Sequence, residues 1–359
     1  MTKNEHGFTL MEMMVAVAVT LVILAGTMRA VNDAMRASET AQLVTSMNRG
    51  LRTAADIMVR DLLQVGQGLP PTHVIQIPQG GTATAVKLPA PPSTLTRVYA
   101  TSVTEISAVV PGPALGPTVN GVVTDMITTL AVDSAFESIA PASLAADNMK
   151  ITSVPISGNV ATEINPGDLL MIVKGSASTL VEVTNIDANN KTVNFSSPDS
   201  LSLNQTTGTL GTVQHLIDAD VKNDLSNVLV SRVRMISYYL DNVTEAARPR
   251  LVRRMNNGDP VVYDNKLGTA VAFDVENLQI SYDLVDGVNN WANVKMTETD
   301  IGGTGACSPK ACNPNQIRKI NITLTGRSRT VLSTTKQYFR NTLNTQVSLR
   351  SMAFVDKYK

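Results

Sequence analysis

Few side chains in this sequence are placed to do chemistry, and each points in a different direction. Glu12 is a carboxylic acid inside FTLMEMMVAVAVTLVILAGTM, residues 8–28, a stretch otherwise built of apolar residues, glycine and three threonines. Bringing a carboxylate into lipid costs roughly 2.5 kcal/mol or more, so an acid there marks a function or a partner. Cys307 and Cys312 are the only two cysteines, and they lie in the loop-like segment GGTGACSPKACNPN with four residues between them. A disulfide closing that loop is sterically reasonable and suits an oxidising compartment. Chain entropy makes so short a closure worth on the order of 2 kcal/mol. The competing use of the two thiols, half of a metal site, needs further soft ligands, and the histidines are only His6, His73 and His215. A zinc cluster within one subunit is therefore not expected. No other cofactor is expected either.

Enzymatic patterns are missing their parts. Gly175-Ser-Ala-Ser178 is not a nucleophile elbow, and Asp218 and Asp220 beside His215 read as surface acids. Asp187, Asp286 and the asparagines near them fit turn chemistry better than calcium ligation, since no twelve-residue calcium-loop pattern occurs. The glycines form no phosphate-binding fingerprint. Tyr238, Tyr239, Phe273, Tyr282 and Phe339 read as core or sheet-face aromatics. Thirty basic residues balance thirty acidic ones, so no overall field favours nucleic acid, and none is expected as a partner. With charged residues at 17%, below the usual quarter or so, the surface is more hydrogen-bonding than ionic. An enzyme is not expected.

The elements that carry these residues begin with one long helix. At about 1.5 Å per residue, residues 8–28 cover roughly 31 Å, the thickness of a bilayer's hydrocarbon core. A secretory signal peptide is the ordinary alternative. The basic region is very short, though, the apolar run is too long, and no small-x-small cleavage site follows. The run continues instead at helical period from Ala30 to Leu63. Val31, Met35, Val44, Met47, Leu51, Met58 and Leu62, with Ala54 and Ala55, form a face that should pack on a domain. Arg36, Glu39, Arg49, Arg52, Asp56 and Arg60 lie opposite, on a face that is solvated or meets neighbouring chains. Gly66, Gly68, Pro70 and Pro71 stop the helix. Phe8 to Gln64 then makes one helix of about 85 Å, with Gly26 and Gly50 as its weak points.

Residues 69–150 are proline-punctuated. Short strands are expected at 83–88, 104–110 and 121–127, and short helical turns within 133–149. From residue 149 strand signals are regular: 149–156, 169–174, 179–187, 192–196, 227–241, 250–255, 260–263, 275–285, 317–325 and a last one within 345–354. Asp187-Ala-Asn-Asn190, Asn256-Asn257-Gly258-Asp259 and Asp286-Gly287 read as turns. Alternation in Arg232–Tyr238 and Gln279–Tyr282 gives each strand one buried and one wet face. An antiparallel sheet packed on the helix's apolar face satisfies both. The expected class is α+β.

Gly7-Phe8-Thr9-Leu10-Met11-Glu12-Met13-Met14-Val15-Ala16 resembles the prepilin processing site of type IV pilins and type II secretion pseudopilins. Met11, Met13 and Met14 stand where Ile or Leu is commoner, which leaves the hydrophobicity intact. More weakly, the blocks at 166–172, 233–240, 250–254, 275–282, 317–324 and 347–350 are similar to the C-terminal half of PilW-type minor pilins. They are similar also to the J-type minor pseudopilin of type II secretion, which is usually shorter. Residues 69–150 match neither.

The resemblance implies a type IV pilin-like fold. Its parts are a leader over 1–7, a transmembrane and filament-core helix over 8–28, an amphipathic continuation over 29–68, an insertion region over 69–150 and a C-terminal antiparallel β domain over 151–359. It implies that a prepilin peptidase cuts after Gly7 and that the new N-terminal Phe8 is methylated. Glu12 would then pair with the amine of a neighbouring subunit. The implied partners are that peptidase, the major pilin and other minor pilins, an inner-membrane assembly platform, and membrane lipid before assembly. The implied location is the inner membrane, single-pass with a periplasmic domain, and later the pilus or its tip. The implied role is to initiate or cap a type IV pilus. The alternatives are a minor pseudopilin at the tip of a type II secretion filament and a pilus-tip adhesin or binding module displaying 69–150.

Overall fold

The computed structural model describes residues 8–78, 84–91, 96–99, 103–136, 138–151, 164–206, 210–218, 227–256, 268–285, 289–296, 312–333 and 335–354. Helix α1 runs through Leu10–Leu62 without interruption. Thr9 caps it: the Thr9 hydroxyl accepts the Glu12 N–H, and the Glu12 carboxylate accepts the Thr9 N–H. This capping box satisfies donors that a first turn otherwise leaves open. At the far end Gly66 and Gly68 sit at φ +76° and +72°, a backbone that side chains avoid. A Cβ on Gly68 would come within 2.7 Å of the Val132 side chain, so glycine is required for the chain to turn there. The helix passes through Gly26 and Gly50, where an added Cβ would meet nothing within 4 Å.

The two halves of α1 live in different surroundings. Leu51, Ala54, Ala55, Met58 and Leu62 are buried against the domain, and Val44 and Met47 are half-buried. Every residue from 8 to 39 is exposed, and the six charged residues expected on the outer face are exposed as well. Val31 and Met35, expected on the packed face, are 58% and 67% exposed. They share the helical stripe, but the domain does not reach down to them.

Twenty-one strands follow among the described residues. The first ten are β1 (Val74–Gln76), β2 (Lys87–Pro89), β3 (Thr96–Val98), β4 (Glu105–Ser107), β5 (Val109–Gly112), β6 (Thr118–Val119), β7 (Val122–Val123), β8 (Met126–Val132), β9 (Pro141–Leu144) and β10 (Asn148–Ile151). Then come β11 (Leu169–Lys174), β12 (Ala177–Glu182), β13 (Asn185–Asp187) and β14 (Thr192–Asn194), the short helix α2 (Val213–Asp218), and β15 (Val228–Asp241). The last are β16 (Arg250–Met255), β17 (Thr269–Phe273), β18 (Val275–Val285), β19 (Asn290–Val294), β20 (Ile317–Arg327) and β21 (Arg340–Ser348). The described pairings are antiparallel.

The 14-residue β15 organises the largest sheet. Along one edge its first half pairs with β11 and its second half with β16, in tandem; along the other it pairs with β8. The sheet runs β12-β11-β15-β16-β17, with β5 attached through β8. A second sheet runs β19-β18-β20-β21, and a third, β13-β14-β10-β9, covers the far side of β11 and β12. Helix α1 packs across the edge regions of the first two sheets, against β17, β20 and β21. Gly326 in β20 makes this possible, because a Cβ there would lie 2.9 Å from the Leu51 side chain.

Three cores result. One lies between α1 and the first two sheets. The other two lie on opposite faces of β11: Leu170 and Ile172 point into one, Leu169 and Met171 into the other. Burial on both faces is why this strand reads LLMIV rather than alternating.

Several expectations need correction. Residues 133–149 hold β9 and the start of β10 instead of helical turns. The last strand is Arg340–Ser348, earlier than expected, and Ser351–Phe354 is a single 3-10 turn. Strands β1, β3, β6, β17 and β19 fall where no strand is expected, and the single strand expected at 179–187 is two, β12 and β13. The expected strand at 260–263, residues 152–156 of the strand expected at 149–156, the turn residues 257–259 and the turn at 286–287 lie outside the described residues.

Candidate functional site on the N-terminal helix

The features that could do work converge on the exposed half of α1. Phe8 precedes the cap and is 87% exposed. Gly7 lies outside the described residues. The Glu12 carboxylate accepts the Thr9 N–H at 2.9 Å and the Thr9 hydroxyl at 3.0 Å. Further along, the Thr20 hydroxyl donates to Ala16 O at 2.7 Å and the Thr27 hydroxyl to Leu24 O at 2.9 Å. Those hydroxyls are satisfied by the helix itself, so neither threonine carries an unmet polar demand into an apolar medium. Glu12 is the one charged group between Leu10 and Met28. Its acceptor capacity exceeds the two donors of Thr9.

A core helix of a soluble protein passes the same length and hydropathy test, but it is buried. Here the apolar window of α1 is wholly unburied. A terminal leader destined for removal would not be continuous with a packed stem, yet α1 runs on into the main core.

The stem is fixed by a group that the spacing did not single out. Asp61 accepts from Arg253 Nε at 2.6 Å and Nη2 at 3.2 Å, and from the Tyr238 hydroxyl. Tyr238 is fully buried on β15; that burial, then the bond and the charge of Asp61, hold its phenol well above the ordinary range. In sequence Asp61 looks like one more charge on an amphipathic helix. Only the topology shows that it faces inward.

The remaining candidates disperse. Cys312 is buried in the main core and no described cysteine is a free thiol; its expected partner, Cys307, lies outside the described residues. His215 and Asp218 sit in α2, where Asp218 accepts from Gln214 at 2.6 Å, and Asp220 is outside the described residues. Gly175 to Ser178 form the hairpin between β11 and β12. Asp187 caps its own turn by accepting the Asn189 and Asn190 N–H groups at 3.1 Å. Tyr239 and Tyr282 are fully buried, whereas Phe273 is 48% exposed beneath the Arg248 guanidinium. Among the described residues no three His, Cys, Asp or Glu side chains gather as a metal site.

A cleft of about 230 Å³ opens beside Arg232, Arg234, Asp133, Asp168 and Asn256. Its charges are matched internally. Asp133 receives Arg232 at 2.7 Å and Arg234 at 3.0 Å, and Asp168 lies 3.6 Å from Arg232. Burial pushes the Asp133 carboxyl up, but the Ala135 N–H and the two arginines outweigh it and hold it below its usual range.

Residues 2–28 match the prokaryotic N-terminal methylation motif. The match ends where the apolar run ends and leaves the large domain unassigned. No curated protein and no solved structure matches the chain. A methylation motif at the head of a bare apolar helix, and an antiparallel sheet domain packed on that helix's second half, are consistent with the broader type IV pilin-like superfamily. The α+β architecture matches a pilin-like fold. The same features support a chain anchored in the inner membrane by α1 with its large domain in the periplasm.

Proposed function

We propose that this protein is a minor pilin of the PilW type that takes part in type IV pilus assembly, initiating or capping the filament with other minor pilins. The observation that carries the reading is the junction on α1. The helix is naked over residues 8–39, continuous with a packed stem over 40–62, and headed by the methylation motif. A naked apolar helix is stable only in lipid or among like helices.

In this reading the prepilin peptidase cuts between Gly7 and Phe8 and the Phe8 amine is methylated. Residues 8–28 hold the chain in the membrane until assembly, and 29–68 carry the domain. Before assembly the Glu12 carboxylate rests on Thr9. In the filament it exchanges part of that capping for the amine of a neighbouring subunit, which neutralises both charges away from water and fixes the axial register. The domain supplies specificity for its neighbours. Cys307 and Cys312 form a disulfide that staples the segment leading into β20.

The test is crosslinking of the globular domain in cells, with the captured neighbours identified. Recovery of the major pilin and other minor pilins supports the assignment. Recovery of secretion pseudopilins alone assigns the chain to the type II secretion filament, and recovery of neither removes the filament reading.

A further inference from the structure

We propose that the loop joining β20 to β21, residues 328–339, is a foot that rests on anionic phospholipid headgroups beside the anchor; the inference builds on the membrane-anchored reading. All of its residues but Thr334 are described. The loop hangs from the sheet along α1 toward the apolar run: Asn341 meets Asn48 at 2.8 Å, and lower down the Ser333 hydroxyl donates to the Glu39 carboxylate at 2.8 Å. It is held in shape from within. The Ser328 N–H donates to Phe339 O at 2.8 Å, the Leu332 N–H to Gln337 O at 2.9 Å, and the Leu332 side chain is buried.

Its charge is one-sided. Residues 327–340 contain four basic side chains and no acidic one, in a chain whose formal charge is zero. Arg327 and Arg340 are committed to Glu276 at 3.2 and 2.6 Å. Arg329 and Lys336 are exposed and join no ion pair among the described residues. Between them Val331 is 43% exposed. Two uncommitted cations around an exposed aliphatic suit a headgroup interface, where the charge meets phosphate and the aliphatic group lies at its outer edge.

The reach is adequate. From Met28 to Glu39 the helix rises roughly 17 Å, of which the headgroup layer takes about 5–8 Å, leaving roughly 9–12 Å for helix tilt and the long Arg329 and Lys336 side chains to span. An ordinary tilt of about 20° lowers an off-axis domain further, and attraction between charges acts over about 10 Å at moderate salt.

The full chain is placed in vesicles of phosphatidylcholine, alone or mixed with phosphatidylglycerol, each carrying headgroup spin-labelled lipid. A Val331→Trp reporter is read in a Trp291→Phe background, since Trp291 is the sole tryptophan. Quenching should be roughly threefold or more stronger in the anionic vesicles. It should fall to the neutral level in high salt or with Arg329→Gln and Lys336→Gln together. In parallel, acylation of Lys336 in the unaltered chain should slow only in anionic vesicles. Equal quenching and acylation in both lipids, with the chain floating on the vesicles, overturns the foot alone. Protection that follows protein density instead of lipid charge assigns the surface to a protein neighbour and also overturns it. A chain that does not float with either vesicle overturns the anchor and the foot together.

Discussion

At the residue scale Glu12 has two separable jobs, capping its helix and carrying charge. Glu12→Gln keeps an acceptor for the Thr9 N–H but removes the charge, while Glu12→Ala removes both. If charge pairing drives assembly, both variants should be cut normally, as shown by intact mass, and both should be depleted from sheared filaments by tenfold or so. Normal incorporation of Glu12→Gln would leave only a capping role. Replacing Gly7 with a bulky residue should instead block the cut and leave the seven-residue leader on the chain. A second acid, Glu182, is 8% exposed at the end of β12, with the Ser200 hydroxyl 2.7 and 2.6 Å from its two oxygens. Burial, with the charge of Asp199 adding to it, pushes its carboxyl up from 4.5 to about 7. The folded chain therefore keeps a proton that the unfolded chain gives up near the ordinary value. The associated stability is fully present below pH 4.5 and is lost as pH rises toward about 7, a difference of roughly 3 kcal/mol. His73 contributes the opposite slope, since its burial lowers its pKa. Comparing urea midpoints of the detergent-solubilised chain and Glu182→Gln at pH 5 and 7.5 isolates the acid; parallel pH profiles would show that Glu182 titrates normally.

At the element scale the junction of α1 with the sheets is the feature to break. Asp61→Ala leaves the Arg253 guanidinium and the buried Tyr238 hydroxyl without their shared acceptor, which should cost about 3 kcal/mol. Tyr238→Phe, which leaves the ion pair intact, should cost about 1 kcal/mol. Denaturant midpoints and protease cutting within 40–62 give the order, and equal losses from the two variants would mean that the charge pair contributes nothing. How much of this was legible in the sequence differs by element for physical reasons. The helix and its stop were readable because apolar residues three or four apart end at glycines and prolines. Its packed limit was not, since Val31 and Met35 continue the stripe that Met47 and Leu51 belong to, and only the domain's extent decides which are covered. Strands β15, β16, β18 and β20 were placed to within a few residues by alternation or clean apolar runs. Strand β21, RNTLNTQVS, is a mostly exposed edge whose polar side chains read as loop. Strand β8, MITTLAV, is buried at its first six positions, so it shows no period, and its partner β15 lies a hundred residues on. The motif at Gly7–Glu12 was legible as local spacing, whereas Asp61 acquires its role only through partners distant in the chain.

At the scale of the whole molecule, the question is whether 69–150 is a detachable binding module or part of the body. Its strands β5 and β8 complete one edge of β15, with Val109 opposite Thr129 and Ile127 opposite Tyr238. Ile75, Leu88, Ile106 and Leu130 from the same region build a core with Leu169 and Met171. Removing the region opens that edge and strips one face of β11, an exposure of apolar surface and unpaired backbone that a marginally stable domain does not survive. A chain lacking 69–150 should therefore be degraded or aggregated, and its loss of pili would say nothing about adhesion. The β6–β7 hairpin is the part that can be altered safely. Val122 and Val123 are each 46% exposed, and the hairpin is tied down through its turn, where Asn120 donates to Glu276 at 2.7 Å. Val122→Ser with Val123→Ser should leave the urea midpoint unchanged to within about 0.5 kcal/mol, because exposed side chains carry little of the fold's stability. If the protein serves assembly, piliation and surface attachment should both stay normal in this variant. Normal piliation with attachment lost would instead move the function of the chain toward adhesion at this hairpin.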